Sequence, residues 1–196
     1  MWRDSLDSIL GASYSKLLIF AFCLTPAIVL TWGGVRSGLD PEFIHAAVRH
    51  TGEWTLKLLI LTLAVTPLRR FTRLSNLIQF RRMLGLFAFF YGCLHLLAWK
   101  VMHHLPGVAQ FKAWNLRLAF LALVLMIPLA VTSSAGSIQR LGSRRWRMLH
   151  TLIYVSTILG YVHYCGIAKS GMAKATTVGG ILAVLLIFRL LPIKNS

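Results

Sequence analysis

Apolar residues in this chain gather into six long runs separated by short polar gaps: residues 17–32, 54–68, 83–99, 114–132, 148–166 and 176–191. Each run approaches the length an α-helix needs to cross about 30 Å of hydrocarbon. The pattern predicts an all-α fold, a polytopic membrane helical bundle of six transmembrane helices forming a single domain over residues 1–196. Pro26 and Pro128 fall inside runs and are expected to mark kinks, where neighbouring helices satisfy the freed carbonyls. Arg3 and Lys16 ahead of the first run mimic the front of a secretory signal, but Thr31-Trp32-Gly33-Gly34 is a poor cleavage site. An uncleaved first span is therefore expected.

Composition agrees with that class: 57% of the 196 residues are hydrophobic, with a mean hydropathy of +0.69. The formal charge is +16, from 21 Lys and Arg against 5 Asp and Glu. In a soluble protein such an excess would suggest nucleic acid. Here the basic residues sit between apolar runs, which points to membrane topology and contact with anionic membrane lipids, and to no nucleic-acid partner. Arg69, Arg70, Arg73, Arg81 and Arg82 fill the second gap, and Arg140, Arg144, Arg145 and Arg147 the fourth. Both gaps are expected on the cytoplasmic side, which for six spans puts both termini there too.

Charge also narrows the chemistry, because no Asp or Glu follows Glu53. Carboxylate-based proton relays, catalytic triads and carboxylate-assisted zinc sites thereby lose their essential groups from the second span onward. Histidines remain: His95, His150 and His163 lie in the apolar runs, whereas His45, His50, His103 and His104 fall in stretches read as polar surface loops. An ionisable group inside a bilayer is expensive, so it is a functional candidate by default. His95 comes 13 residues after Arg82 and His163 comes 16 after Arg147, roughly 20 and 24 Å into their spans. Two neutral imidazoles at one depth on different helices suit an axially coordinated haem iron. His150 lies barely one turn past the polar boundary and suggests a second haem. It is separated from His163 by 13 residues, about 20 Å along an ideal helix and about 140° around it. A distortion at Gly160, or haems on two flanks, would reconcile the pair. Cys23, Cys93 and Cys165 stand singly and read as small buried hydrophobes. A transporter using intramembrane histidines and a structural subunit without cofactor remain as alternatives on these residues alone.

The stretches Leu61-Thr-Leu-Ala-Val-Thr-Pro-Leu-Arg-Arg70, Arg81-Arg-Met-Leu-Gly-Leu-Phe-Ala-Phe-Phe-Tyr91 running to His95, Pro128-Leu-Ala-Val-Thr-Ser133, and Leu141-Gly142 followed by Trp146 and Leu149-His150 resemble the MsrQ family. That family falls within the wider ferric reductase-like transmembrane group. The resemblance implies a b-type cytochrome of the bacterial inner membrane with one or two haems. It implies electron transfer from the quinone pool or a cytosolic flavin reductase to a periplasmic molybdopterin reductase of the MsrP type, which repairs methionine sulfoxide in proteins. It further implies haem ligation by His95, His150 and His163, and a link to FMN. The wider group has a second, inner histidine on span three, where this chain has Arg81 and Arg82. Guanidinium pairs well with carboxylate, so both arginines are candidates to hold haem propionates. The loop 101–113 is short and lacks the Arg-Pro-Tyr-Ile-Thr stretch of the family. No dinucleotide or Walker motif is present, so any NAD(P)H would be used by a separate protein.

Overall fold

The structure, a computed structural model, describes residues 2–11, 13–38, 40–104, 113–167 and 172–190, and among these no strand occurs. In chain order the helices are α1 (Trp2–Gly11), α2 (Ser13–Ser37), α3 (Pro41–Thr72), a 3-10 turn (Ser75–Leu77), α4 (Ile78–His103), α5 (Ala113–Val131), α6 (Ala135–Leu141), α7 (Ser143–Leu149), α8 (Leu152–Ile167) and α9 (Met172–Leu190). The loop stretch 105–112, where the sequence departs from the family pattern, lies outside the described residues. Among the described residues, three segments are long and apolar enough to cross a membrane: Ser13–Ser37, Ser75–His103 and Trp114–Val131. The other expected runs also meet helices, 54–68 within α3, 148–166 across α7 and α8, and the described part of 176–191 along α9. Large apolar side chains such as Leu17, Phe22, Val29 and Val35 stand exposed along α2. A surface of that kind suits hydrocarbon rather than water.

Helix α3 departs most from expectation. It runs 32 residues, about 48 Å, and takes in residues 41–53, which the hydropathy pattern leaves outside a span. Its start has a local cause: Asp40 accepts the N–H of Phe43 at 2.6 Å through its side chain, and Pro41 occupies the first turn with its φ already suited to a helix. His45 and His50 are therefore exposed helical residues, not loop residues. Span five also departs. Instead of one helix over 148–166, α7 ends at Leu149 and α8 begins at Leu152. Thr151 directs both its N–H (3.1 Å) and its hydroxyl (2.6 Å) onto the carbonyl of Met148. This i−3 pairing tightens the turn and breaks the ladder. A distortion at Gly160 is one of two ways to reconcile His150 with His163; the helix instead breaks at His150–Thr151, and Gly160 lies within α8. Pro26 and Pro128 lie inside α2 and α5.

The chain divides into two compact units, Met1–Val65 with Arg69–Gln110, and Thr66–Leu68 with Phe111–Ser196. In the first, contacts advance together along α2 and α4. The Phe20 and Phe87 rings lie 5.1 Å apart, and the fully buried Tyr91 donates its hydroxyl to the carbonyl of Cys23 at 2.8 Å. The two helices therefore run parallel. Tyr91 also stacks on Trp54 of α3 at 6.0 Å. In the second unit α5 and α8 are joined by the fully buried Ser156, whose hydroxyl donates to the carbonyl of Ala122 at 2.8 Å. Tyr161 ties α8 to α9 by donating to the carbonyl of Ala175 at 3.0 Å. Small residues at such crossings let backbones approach closely, which is how membrane helices gain van der Waals contact. Of the cysteines, Cys23 is buried, Cys93 half-buried and Cys165 exposed. Cys165 departs from the buried reading because the buried side of α8 is formed earlier, by Ile153, Ser156 and Thr157.

Helix α1 closes the first unit at one end. Asp7 accepts the backbone N–H of Asn76 at 2.9 Å and the hydroxyl of Ser75 at 2.7 Å, while the side-chain amide of Asn76 donates back to the Asp7 carbonyl at 2.8 Å. The carboxylate thereby caps the 3-10 turn leading into α4 from another element. The Asn76 N–H, then the Ser75 hydroxyl, hold the Asp7 carboxyl below its ordinary range. A depressed folded-state value means that the contact contributes fully above the ordinary carboxylate range and fades as pH falls through the folded value. Asp7→Asn is accordingly expected to speed amide exchange at residues 74–79 at neutral pH. In the parent chain the same acceleration is expected only under acid conditions.

Candidate functional site

His95 lies on α4 facing α3. Its Nδ1 is 2.9 Å from the carbonyl of Val48 and 3.4 Å from the hydroxyl of Thr51. A carbonyl only accepts, so Nδ1 carries the proton and, in the neutral ring, Nε2 carries the lone pair. Thr51 directs its own hydroxyl proton to the carbonyl of Ala47 at 2.7 Å, which leaves its oxygen as a further acceptor towards the ring. Gly52 completes the seat. A Cβ there would stand 2.9 Å from Cε1 and 3.0 Å from Nδ1 of His95, so only glycine lets the helix backbone come this close to the imidazole.

His163 on α8 repeats the scheme within the second unit. Its Nδ1 is 3.0 Å from the carbonyl of Asn115 on α5 and 3.2 Å from the Asn115 side-chain oxygen. The proton again sits on Nδ1 and the lone pair on Nε2. Asn115 is only 3% exposed. A Cβ at Gly166 would lie 2.7 Å from its Nδ2 and 2.9 Å from its Cγ and Oδ1. A glycine thus makes room for each arrangement, against the ring itself at His95 and against the ring's partner at His163. Holding Nδ1–H on a carbonyl is the arrangement that presents Nε2 of a histidine to a metal, fixing its orientation and raising its basicity. The donor set of both histidines therefore suits residues that would ligate haem iron.

His150 is different. It ends α7, half-buried, with its ring stacked on Trp146 at 4.0 Å and 27°. Its Nε2 is 3.1 Å from the hydroxyl of Thr132, which itself donates to the carbonyl of Pro128 at 2.6 Å. With the hydroxyl proton so engaged, Nε2 is the donor, and the neutral ring carries its lone pair on Nδ1. Trp146 Nε1 closes the knot by donating to the carbonyl of Thr132 at 2.9 Å. The break before α8 also removes the ideal-helix relation between His150 and His163, so the 140° offset no longer describes them. Thr132→Val removes both hydroxyl bonds. It is expected to cost on the order of 1 kcal/mol of stability, the scale of interhelical side-chain bonds in membranes, as read by denaturant titration in detergent.

Arg81 is half-buried near the start of α4, and Arg82 is exposed one position on, where it lines a groove against α2. Arg140, Arg144, Arg145 and Arg147 are exposed on α6 and α7. Gly142, at φ 76°, joins those two short helices in a backbone state that a side chain would resist. Several groups central to the two histidine seats escape a reading of hydrophobic runs: the Val48 carbonyl, Thr51, Gly52, Asn115 and Gly166. A signal for the first three is present in Asp40-Pro41-Glu42, an N-cap followed by proline and an acidic first turn, which starts the helix well before the apolar run. For Asn115, an amide one residue into an apolar run is the corresponding hint.

The family profile described as ferric reductase like transmembrane component matches residues 51–161. A relative from Herminiimonas arsenicoxydans, named protein-methionine-sulfoxide reductase heme-binding subunit MsrQ, is 41% identical over 181 residues, 89% of this chain and 83% of its own. A relative of the same name from Ralstonia nicotianae is 42% identical over 181 residues, covering 87% and 82%. One from Rhodospirillum rubrum is 38% identical over 191 residues, covering 90% and 88%. With likeness running through nearly the full length of these relatives, the chain is a multi-pass membrane protein that belongs to the ferric reductase-like transmembrane family and, within it, to the MsrQ family.

Proposed function

We propose that this chain is the haem-binding, electron-transferring membrane subunit of a protein-methionine-sulfoxide reductase system. The observation that carries the reading is the shared tautomer of His95 and His163, each with Nδ1–H on a helix carbonyl, which in the neutral ring puts the lone pair on Nε2. In the proposal His95 and His163 would hold b-type haem, and His150 would be the candidate ligand of a second haem. Arg81 is our candidate to pair with a haem carboxylate. Bound haem supplies a one-electron centre within the apolar spans, its potential tuned by burial and hydrogen bonding. The chain's own part is to orient the imidazoles, to raise their basicity through the carbonyls of Val48 and Asn115, and to keep water away with apolar helix faces.

The finer picture is a six-span chain acting as one domain of the bacterial inner membrane, with both termini cytoplasmic. Electrons enter from quinol or a cytosolic flavin reductase and leave to a periplasmic molybdopterin reductase of the MsrP type, in which sulfoxide reduction takes place. Exposed Arg140, Arg144, Arg145 and Arg147 would attract an acidic donor and set its encounter rate.

A spectrum tests the reading. Protein purified in detergent from haem-replete cells is expected to show a Soret band, with sharpened α and β bands after dithionite. A colourless, stably folded protein would remove the proposal. Haem per chain in His150→Ala beside the parent reads the count: an unchanged value means one haem, a halved value two.

A further inference from the structure

Helices α2 and α4 do not close against each other along their whole length. Between them lies a groove of about 470 Å³. Its two walls carry matching rungs: Lys16, Phe20 and Leu24 from α2, and Arg82, Leu86 and Phe90 from α4, each set spaced four residues apart. Because the helices run parallel, the two cations stand at one end and the apolar rungs follow in step. Each wall extends about 12 Å from its cation to its last rung, at 1.5 Å per residue. One leaflet of a bilayer offers about 15 Å of hydrocarbon, half of a core about 30 Å thick. The groove therefore has the polarity profile of half a membrane, with its polar end positive.

Both cations are exposed, and neither has an ion-pair partner among the described residues. Among the described residues no carboxylate lines the groove. Phe20 is braced from inside by Phe87 at 5.1 Å, and Phe87 by Phe90 at 6.3 Å, so the apolar walls are held by ring contacts. A neutral apolar occupant would leave the charged end unused, and a small free anion would leave the apolar length unused.

We infer that this groove is a binding site for an anionic phospholipid, with Lys16 and Arg82 on the headgroup phosphate and an acyl chain along Phe20, Leu24, Leu86 and Phe90. Two basic groups at a membrane surface, each worth roughly a fivefold gain in affinity for anionic lipid, together give about thirtyfold. Arg82 thereby takes a role distinct from Arg81, with which the sequence alone groups it.

Native mass spectrometry of the full chain, released from vesicles holding phosphatidylglycerol and phosphatidylcholine in equal parts, tests this without reference to haem. The parent is expected to retain phosphatidylglycerol. The double variant Lys16→Gln/Arg82→Gln is expected to lose about thirtyfold in that retention, and Lys57→Gln, whose lysine pairs with Glu53 away from the groove, to lose nothing. Leu86→Trp fills the groove with both cations intact and is expected to expel the lipid as well. Equal retention of the two lipids, or undiminished retention in the double variant, overturns the inference. So does displacement by inorganic phosphate at equal concentration, or preferential retention of an isoprenoid quinone added to the same vesicles.

Discussion

Replacing either His95 or His163 with alanine is expected to strip most of the haem from the purified protein, whereas His45→Ala and His103→Ala leave it in place. The expectation follows from the donor set. In each candidate the carbonyl bond fixes the proton on Nδ1 and, in the neutral ring, the lone pair on Nε2, so losing the ring removes the nitrogen that would ligate the iron. Disturbing groups that merely orient a ligand costs about ten- to a hundredfold in affinity, so losing the ligand itself should cost at least as much. Haem per chain and the height of the Soret band measure it. Free imidazole in the buffer separates a ligand from a structural residue, since it restores part of the band only if the missing ring had coordinated the iron. An unaltered band in both alanine variants would leave the histidines as packing groups and return the question to the transporter and structural alternatives.

Gly52→Ala and Gly166→Ala are expected to weaken haem retention by about tenfold or more while leaving helix content unchanged. At Gly52 the added methyl group would meet the His95 ring at 2.9 and 3.0 Å. The ring must turn, and the bond to Val48 then lengthens or breaks. At Gly166 the methyl would meet Asn115 at 2.7 to 2.9 Å, and Asn115 is buried with little room to retreat, so the strain passes to His163. Gly160→Ala is the matching control on α8, because nothing lies within 4 Å of its added Cβ. The sign is informative. Alanine favours helix over glycine by about 1 kcal/mol, so a loss of haem alongside equal or greater thermal stability would trace the effect to the histidine seats. Should both variants bind haem as tightly as the parent, the close approach of backbone to ring would have no bearing on ligation.

Much of this protein is legible along the chain because membrane helices announce themselves locally. Six apolar runs and the arginines between them are properties of contiguous residues, and most of the described residues of each run fall on helix in the structure. Local reading fails where a helix outlasts its apolar run or breaks inside one. Helix α3 begins 13 residues before residue 54, through the Asp40 cap and Pro41, and it is this polar extension that carries Val48, Thr51 and Gly52 to His95. Conversely, hydropathy sees one run over 148–166, while Thr151 turns the backbone and leaves His150 in a cap. Hydropathy averages side chains over a window, whereas both events are decided by single hydrogen bonds.

What the amino-acid order determined alone is the helical membrane class, the family, and which histidines lie in apolar runs that contain no carboxylate. It could not determine their protonation. The proton of His95 is set by a carbonyl 47 residues away and that of His163 by one 48 residues away, and the ring of His150 takes the opposite tautomer because Thr132 has already given its proton to Pro128. Nor does the order separate Arg81 from Arg82, neighbours that point to different surroundings because successive residues on a helix turn by about 100°. Such outcomes belong to the tertiary structure, since a hydrogen bond or a groove wall exists only once two distant segments share a place.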